Sequence, residues 1–264
     1  MTADDTSIFV PTDSGYRPTG FARGPWDPLQ LHGGAVNALF AEVLVDGLDA
    51  SFHPARLTVD LVRPVPLDDL DIQVETTRQG NRLVAKRAVI CCRGKAVAAA
   101  SFLALRAIPV DNGEGNVSAP PSDTPDNAMD RWGQSRETEA FLGGAITVRF
   151  AAASDASSAA WVHLHRRVLP DRPTSPFAQA ASAADITSVA TTFEGTRYNS
   201  VGFLNADMSL HLHRLPSDGW LRIASLSRWE PSGIGTVTAR LADRHGTCGQ
   251  VTQALLLARG LTPP

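Results

Sequence analysis

The sequence is poor in the features that most directly betray a chemistry. It holds three cysteines in 264 residues, Cys91, Cys92 and Cys248. An odd number without framework spacing excludes a disulfide scaffold and fits a reducing compartment. Adjacent Cys91 and Cys92 would face opposite sides of a strand as small apolar filler. The chain has no C-x-x-C, H-E-x-x-H or G-x-S-x-G, no P-loop, and no G-x-G-x-x-G after a strand. Those absences remove zinc-peptidase, serine-hydrolase-elbow, nucleotide and dinucleotide chemistry. No run of 18 apolar residues occurs, so no transmembrane helix is expected. The opening "MTADDTSIFVPTDSGYRPTG" is acidic and polar and lacks a secretory pattern. We therefore expect a cytoplasmic protein. Lysine is nearly absent, two against 22 arginines, a bias of composition rather than chemistry. The net charge of −3 argues against a sequence-blind nucleic-acid or anionic-membrane binder.

What is present is a globular composition, 43% hydrophobic and 19% charged, long enough for a substantial core. Turn chemistry fills residues 21–34, with Gly24-Pro25, Asp27-Pro28 and Gly33-Gly34. Val36, Leu39, Phe40, Val43, Leu44 and Leu48 then recur at helical spacing, and Asp46-Gly47 ends that helix. Four strand-like runs follow at 55–66, 70–80, 81–94 and 95–108, with Gln79-Gly80-Asn81 marking a hairpin. Residues 109–136 are rich in Pro, Asp, Asn, Ser and Gly and read as a linker. Beyond it, strands are expected at 145–154 and 159–170. A helix over 175–193 is capped by Ser175 with Pro176 at its first position. Strands follow at 201–216, 219–231, 233–246 and 247–260.

The second half thus repeats the first. "LTVDLVRPVP" stands over "MSLHLHRLP", and "CRGKAVAAASFLALR" over "RHGTCGQVTQALLLAR". A long helix wrapped by a curved antiparallel sheet buries its apolar stripe, and two such units can pair their sheet edges.

That duplicated arrangement resembles the double hot-dog fold, an α+β architecture. "RGPWDPLQLHGGAVNALFAEVL" is similar to the entry to the first helix in acyl-CoA thioesterases of the thioesterase II (TesB-like) group. "RQGNRLVAKRAVI" and "GKAVAAASFLAL" are similar to that family's N-terminal strands. "SPFAQAASAADITSVATT" resembles its second helix, "LNADMSLHLHR" the following strand and "GQVTQALLLAR" the last one. The resemblance covers nearly the whole chain outside the linker. It implies an N-terminal unit over 1–108, a linker over 109–138 and a C-terminal unit over 139–264. It further implies hydrolysis of acyl-CoA to free acid and CoA, without a cofactor, since coenzyme A is part of the substrate. Homo-oligomers of such protomers are also expected.

Carried over position by position, the family's catalytic Asp falls on Asp185 and its Gln on Gln253. The Thr or Ser position falls on Asn205, a departure. An amide can hydrogen-bond a water but lacks a single rotatable hydroxyl that both donates and accepts. Asp185 would act as general base, with Asn205 and Gln253 holding the water. His32, Gly33 and Gly34 open the first helix, where free amides could stabilise an oxyanion or bind substrate. Arg78, Arg82, Lys86, Arg87, Arg93 and Lys95 are candidates for the CoA phosphates, or simply a solvated strand face.

Two other readings stand beside hydrolysis. Asn205 in place of a hydroxyl would suit a protein that binds acyl thioesters without turnover. The repeated "HLHR", at His163–Arg166 and His211–Arg214, could supply paired imidazoles to a metal. Two imidazoles on one strand face need at least one more ligand, and the spacing offers none. No metal is therefore expected.

Overall fold

The computed structural model describes residues 7–109, 118–129, 139–151, 158–188 and 201–259, the backbone alone at 201–203 and 257–259. The N-terminal half begins with two short strands, β1 (Phe9–Pro11) and β2 (Gly15–Pro18). It continues with helix α1 (Gly33–Val45) and four strands: β3 (Phe52–Asp60), β4 (Leu70–Gln79), β5 (Leu83–Cys92) and β6 (Lys95–Arg106). The C-terminal half opens with β7 (Ile146–Phe150) and β8 (Ser158–Leu164), followed by α2 (Pro176–Ala184). It ends with β9 (Val201–Asn205), β10 (Asp207–Leu212), β11 (Trp220–Trp229), β12 (Ile234–Asp243) and β13 (Gly246–Arg259). All the strands lie in one sheet, ordered β1-β2-β4-β5-β6-β3-β10-β13-β12-β11-β8-β7, with β9 pairing β13. This is the double hot-dog architecture.

The sheet order reads the same from either end. Its centre is the antiparallel pair β3–β10, where Thr58 faces Ser209 and the two hydroxyls lie 3.3 Å apart. Thr58 also pairs with Ser101 on β6, as Ser209 pairs with Thr252 on β13. The halves are thus related by a pseudo-twofold axis through Thr58 and Ser209, and the seam leaves neither inner strand with a bare edge.

Both helices are buried against the sheet and each other. From Gly34 to Glu42 every residue of α1 is buried, so the helix is covered all round and not only along the expected apolar stripe. It stops at Asp46, and Gly47 takes the left-handed φ of +67° that a helix C-terminus favours. Lys86 donates from Nζ to the carbonyls of Leu44 and Asp46 there, a cation at the negative end of the helix. Ser175 caps α2 by accepting the Ala178 N–H at 3.1 Å, with Pro176 next. Ala178, Ala180, Ala181, Ala183 and Ala184 keep α2 narrow and let α1 lie close.

Several expectations need correction. The opening segment, readable from the sequence as a tail or the approach to a first strand, forms a β1–β2 hairpin over Phe9–Pro18. The first long strand is β3, ending at Asp60 rather than at 66. Helix α2 is nine residues long, with helical turns continuing through Ser188, and 189–193 lie outside the described residues. The strand expected over 201–216 is two strands broken at Ala206. Asp207 turns back there to accept the Ala254 N–H at 2.7 Å. β3 shifts register at the matching place, between Pro54 and Arg56.

The linker is not a free spacer. Asp123 pairs with Arg222 at 2.6 Å, Met129 bridges to Phe150, and Ser118 accepts the Thr247 N–H at 2.7 Å. Its described stretch, residues 118–129, is strapped to the C-terminal half. No described helix is long and apolar enough to cross a membrane.

The two HLHR segments turn out to share one structural task. Nε2 of His165 lies 3.2 Å from the Gly144 carbonyl, to which Arg166 Nε donates at 2.8 Å. Nε2 of His213 lies 2.9 Å from the Thr247 carbonyl, to which Arg214 Nε donates at 3.0 Å. The backbone amides of both pairs reach the next carbonyl, Ala145 in one case and Cys248 in the other. The motif clamps a strand end to its neighbour. Among the described residues no three His, Cys, Asp or Glu side chains converge as a metal site would require.

Candidate active site

The two helices run antiparallel, and each begins beside the other's far end. Asp185, at the C-cap of α2, is 5% exposed and lies against the start of α1. An unpaired carboxylate at that depth would cost several kcal/mol, on the order of the penalty for a buried ion. Here it is held on both oxygens. Asn205 Nδ2 donates to Oδ1 at 2.7 Å, and His32 Nδ1 lies 3.1 Å from Oδ2. The break after β9 places Asn205 at the strand end facing α2.

His32 is the N-cap of α1, and its Nδ1 also lies 3.0 Å from the Gly34 amide. One nitrogen cannot accept the Gly34 proton and donate to Asp185 at once. A lone pair facing a carboxylate is repelled by it, so ionised Asp185 favours the tautomer with the proton on Nδ1. In that tautomer the Gly34 amide is released from its cap. Phe141 stacks on the imidazole with ring centroids 4.6 Å apart and fixes its plane.

Gly33 and Gly34 are needed for space. A Cβ on Gly33 would lie 2.6 Å from Asp185 Oδ1, and one on Gly34 would lie 2.9 Å from the Phe141 ring and 3.0 Å from the Ser182 carbonyl. The positive end of α1 thus comes within contact distance of the carboxylate.

Gln253 lies on β13 and is fully buried. Its Nε2 donates to the Ala184 carbonyl at 3.2 Å, one residue before Asp185, and its Oε1 has no partner among the described residues. A buried acceptor beside a carboxylate is a place for a water or a substrate hydrogen. All six residues expected from the sequence, Asp185, Asn205, Gln253, His32, Gly33 and Gly34, therefore come together around the start of α1. Three neighbours were not expected. Phe141 follows the linker and carries no local signal. Asn37 and Ser182 lie in buried helix runs, where only their polarity among apolar neighbours marks them.

The basic residues of the β4–β5 and β5–β6 turns do not converge here. Lys86 is committed to the far end of α1, and Arg93 pairs with Asp68 at the opposite end of β5 from Arg82. Cys248 is buried, and burial, reinforced by Asp243, pushes its thiol pKa up to about 12, which suppresses the nucleophilic thiolate. A groove of about 870 Å³ opens on the outward side of the sheet along His211, Arg240, Gln250 and Thr252. It contains none of the six residues and is separate from this site.

Comparison with known proteins places the chain in a family and a fold. The family model described as the acyl-CoA thioesterase N-terminal domain matches residues 22–106, and the acyl-CoA thioesterase C-terminal domain model matches 114–257. A search of curated sequences returns no match. Among solved structures, the chain is similar to a candidate thioesterase from Novosphingobium aromaticivorans DSM 12444, with 23% identity and a TM-score of 0.74 over 95% of this chain and 98% of that one. It is similar to the acyl-CoA thioesterase II TesB2 of Mycobacterium marinum, with 18% identity and a TM-score of 0.66 over 86% and 89% of the two chains. It is also similar to a hot-dog-fold protein of unknown function from Alicyclobacillus acidocaldarius, at 13% identity and a TM-score of 0.73 over 98% of each chain. At these identities the likeness concerns the fold.

Proposed function

Since this chain belongs to the acyl-CoA thioesterase family and is an acyl-CoA thioester hydrolase, we propose that its chemistry runs through Asp185. In this reading the Asp185 carboxylate takes a proton from a water held against Gln253 Oε1. The water oxygen adds to the thioester carbonyl carbon. The tetrahedral oxyanion is stabilised at the start of α1 by the first-turn amides of Gly33 and Gly34 and the helix dipole. Collapse breaks the C–S bond and releases the acid. The proton held on Asp185 passes to the departing CoA thiolate, which restores the carboxylate.

Asn205 serves this scheme as a positioning residue. Its amide donates to Asp185 Oδ1, which aims the carboxylate rather than the water, so a side-chain hydroxyl is dispensable there. His32 holds the other oxygen. By keeping its proton on Nδ1 while Asp185 is ionised, it leaves the Gly34 amide free for the oxyanion. No cofactor enters the scheme.

The observation that carries this reading is the contact of a buried carboxylate, held at both oxygens, with a glycine-opened helix start. Release of free CoA thiol from an acyl-CoA panel tests it. Asp185→Asn is expected to lower kcat by roughly a thousandfold, within the range of general-base catalysis. Turnover that survives the change would overturn the role of Asp185. Tight acyl-CoA binding without turnover by the wild-type protein would overturn hydrolysis at this site.

A further inference from the structure

Four buried polar atoms without a partner among the described residues belong to three residues around the site: both amide atoms of Asn37, Ser182 Oγ and Gln253 Oε1. The reaction above uses only the last. Asn37 is 1% exposed and Ser182 fully buried. Asn37 lies three and four residues beyond Gly34 and Gly33, on the same face of α1. Helical side chains lean toward the N-terminus and cover the preceding turn. The Asn37 amide is therefore carried back over the glycine pair. Ser182 stands one turn before Asp185, and its own carbonyl is the group Gly34 approaches.

The pseudo-twofold supplies a control. Matching the N-caps His32 and Ser175 sets Asn37 against Ala180 and Ser182 against Leu39, both buried and apolar. The same fold position is thus filled without polar atoms in one copy. Packing does not require an amide and a hydroxyl there. A buried group left unpaired costs more than one never placed there, so these atoms are best explained by a ligand that pairs them.

We propose that Asn37, with Ser182, recognises a hydroxyl on the β-carbon of the acyl chain. The inference rests on the placement of the thioester carbonyl at Gly33 and Gly34. A hydroxyl donates once and accepts twice. It can donate to Asn37 Oδ1 while accepting from Asn37 Nδ2 and Ser182 Oγ. A β-keto oxygen only accepts and leaves Oδ1 unpaired. An unsubstituted chain leaves all three atoms unpaired. The expected preference is therefore β-hydroxyacyl over β-ketoacyl over plain acyl.

The test compares kcat/KM for β-hydroxyhexanoyl-CoA, β-ketohexanoyl-CoA and hexanoyl-CoA in wild type, Asn37→Leu and Asn37→Ala. Wild type is expected to favour the hydroxyacyl over the plain substrate by about tenfold or more, the discrimination a hydrogen-bonding site exerts. In the variants that ratio should fall toward one. Asn37→Ala copies the residue of the other half, and its melting curve shows whether it folds if Asn37→Leu does not. A wild-type ratio near one, or a ratio kept in the variants, overturns the proposal. Should the wild type hydrolyse none of the three, the hydrolytic reading fails separately. Calorimetric binding of the corresponding non-hydrolysable CoA thioethers then decides the hydroxyl preference by the same ratio.

Discussion

Where the end of α2 meets the start of α1, the chain places Asp185, His32, Gly33, Gly34, Asn205 and Gln253. Where the latter part of α1 meets the start of α2, the equivalent positions hold Glu42, Ser175, Pro176, Phe177, Pro54 and Phe102. The equivalences follow from the N-caps and from the sheet register, in which Pro54 pairs with Ala104 as Asn205 pairs with Leu255. A buried carboxylate is present at both crossings. At the first-half crossing it is absorbed by the fold: Glu42 accepts the Ser175 N–H at 2.6 Å, and Arg172 Nε lies 3.8 Å from it. Burial raises the Glu42 pKa, with the Ser175 hydrogen bonds and Arg172 only partly offsetting it. Pro176 has no N–H to offer an oxyanion, and Phe177, at the place of Gly34, packs edge-on against Phe102 at 5.7 Å. A carboxylate at the helix crossing is therefore part of the architecture. What separates the two copies is a helix start opened by two glycines, which brings its backbone against the carboxylate in one copy and not in the other.

The comparison breaks most visibly if the two carboxylates prove interchangeable. Against the thousandfold loss expected for Asp185→Asn, Glu42→Gln should change kcat less than about threefold, because a glutamine oxygen can still accept the Ser175 N–H. Steady-state thiol release checks both variants. Equal losses would mean that the first crossing also catalyses.

The HLHR clamps offer a second contrast, in stability. Arg214 forms two short hydrogen bonds with the fully buried Asp243 besides gripping Thr247, whereas Arg166 grips Gly144 and stacks on Phe21. Arg214→Ala should cost about 3 kcal/mol, since it strands a buried charge. Arg166→Ala should cost nearer 1 kcal/mol. Denaturant melts of both variants measure the difference. Burial disfavours the Asp243 carboxylate, but Arg214 and the His245 and Ser217 amides outweigh it and hold its pKa well below the usual range. Asp243 thus contributes stability that is complete above the unfolded value near pH 4, about 3.9. That stability is lost as pH falls further toward the depressed folded value. The melting temperature of wild type should drop over that acid window more steeply than that of Arg214→Ala.

Sterics give a smaller effect. Gly33→Ala would push a methyl onto Asp185 Oδ1 and lower kcat by about a hundredfold, as expected for a misplaced catalytic group. Pro176, its counterpart, already carries a Cβ, so Pro176→Ala should leave kcat within about twofold. Smallest is the choice of donor at 205. Asn205→Leu should lower kcat about tenfold and Asn205→Thr about threefold, because threonine keeps a donor for the carboxylate. A threonine variant faster than wild type would show that the departure at this position weakens hydrolysis.

Much of this could be read from letters because it rests on local rules. Gly33-Gly34 before an apolar helix, Asp46-Gly47 after it, and the Ser175-Pro176 start of α2 are capping signals that need no tertiary context. The repeat was legible because both copies keep their strand ends, and the six candidate site residues were picked out through the family resemblance. The break at Ala206 was hidden, since β9 and β10 together have the composition of one strand and the interruption depends on Asp207 bonding across to Ala254. The docking of the linker was hidden too, because Ser118 and Asp123 look like any polar loop residues until Thr247 and Arg222 are beside them. Periodicity suggested a half-exposed α1, but a helix wrapped by a sheet and a second helix has no solvent side. HLHR is the plainest lesson: its repetition was meaningful because both copies grip backbone carbonyls at a strand end.

The seam at Thr58 and Ser209 has a consequence for how this chain could be divided. A lone C-terminal half could rebuild the seam with another copy of itself, Ser209 opposite Ser209. Its Asp185 would then face a proline-blocked helix start. A lone N-terminal half pairing with itself would bring two glycine-opened helix starts to two copies of Glu42, with a proline and a phenylalanine in place of Asn205 and Gln253. Neither homodimer brings the six candidate residues together, and only the mixed pairing does. Joining the halves in one polypeptide fixes their stoichiometry at one to one and gives the sterile pairings no opportunity to form.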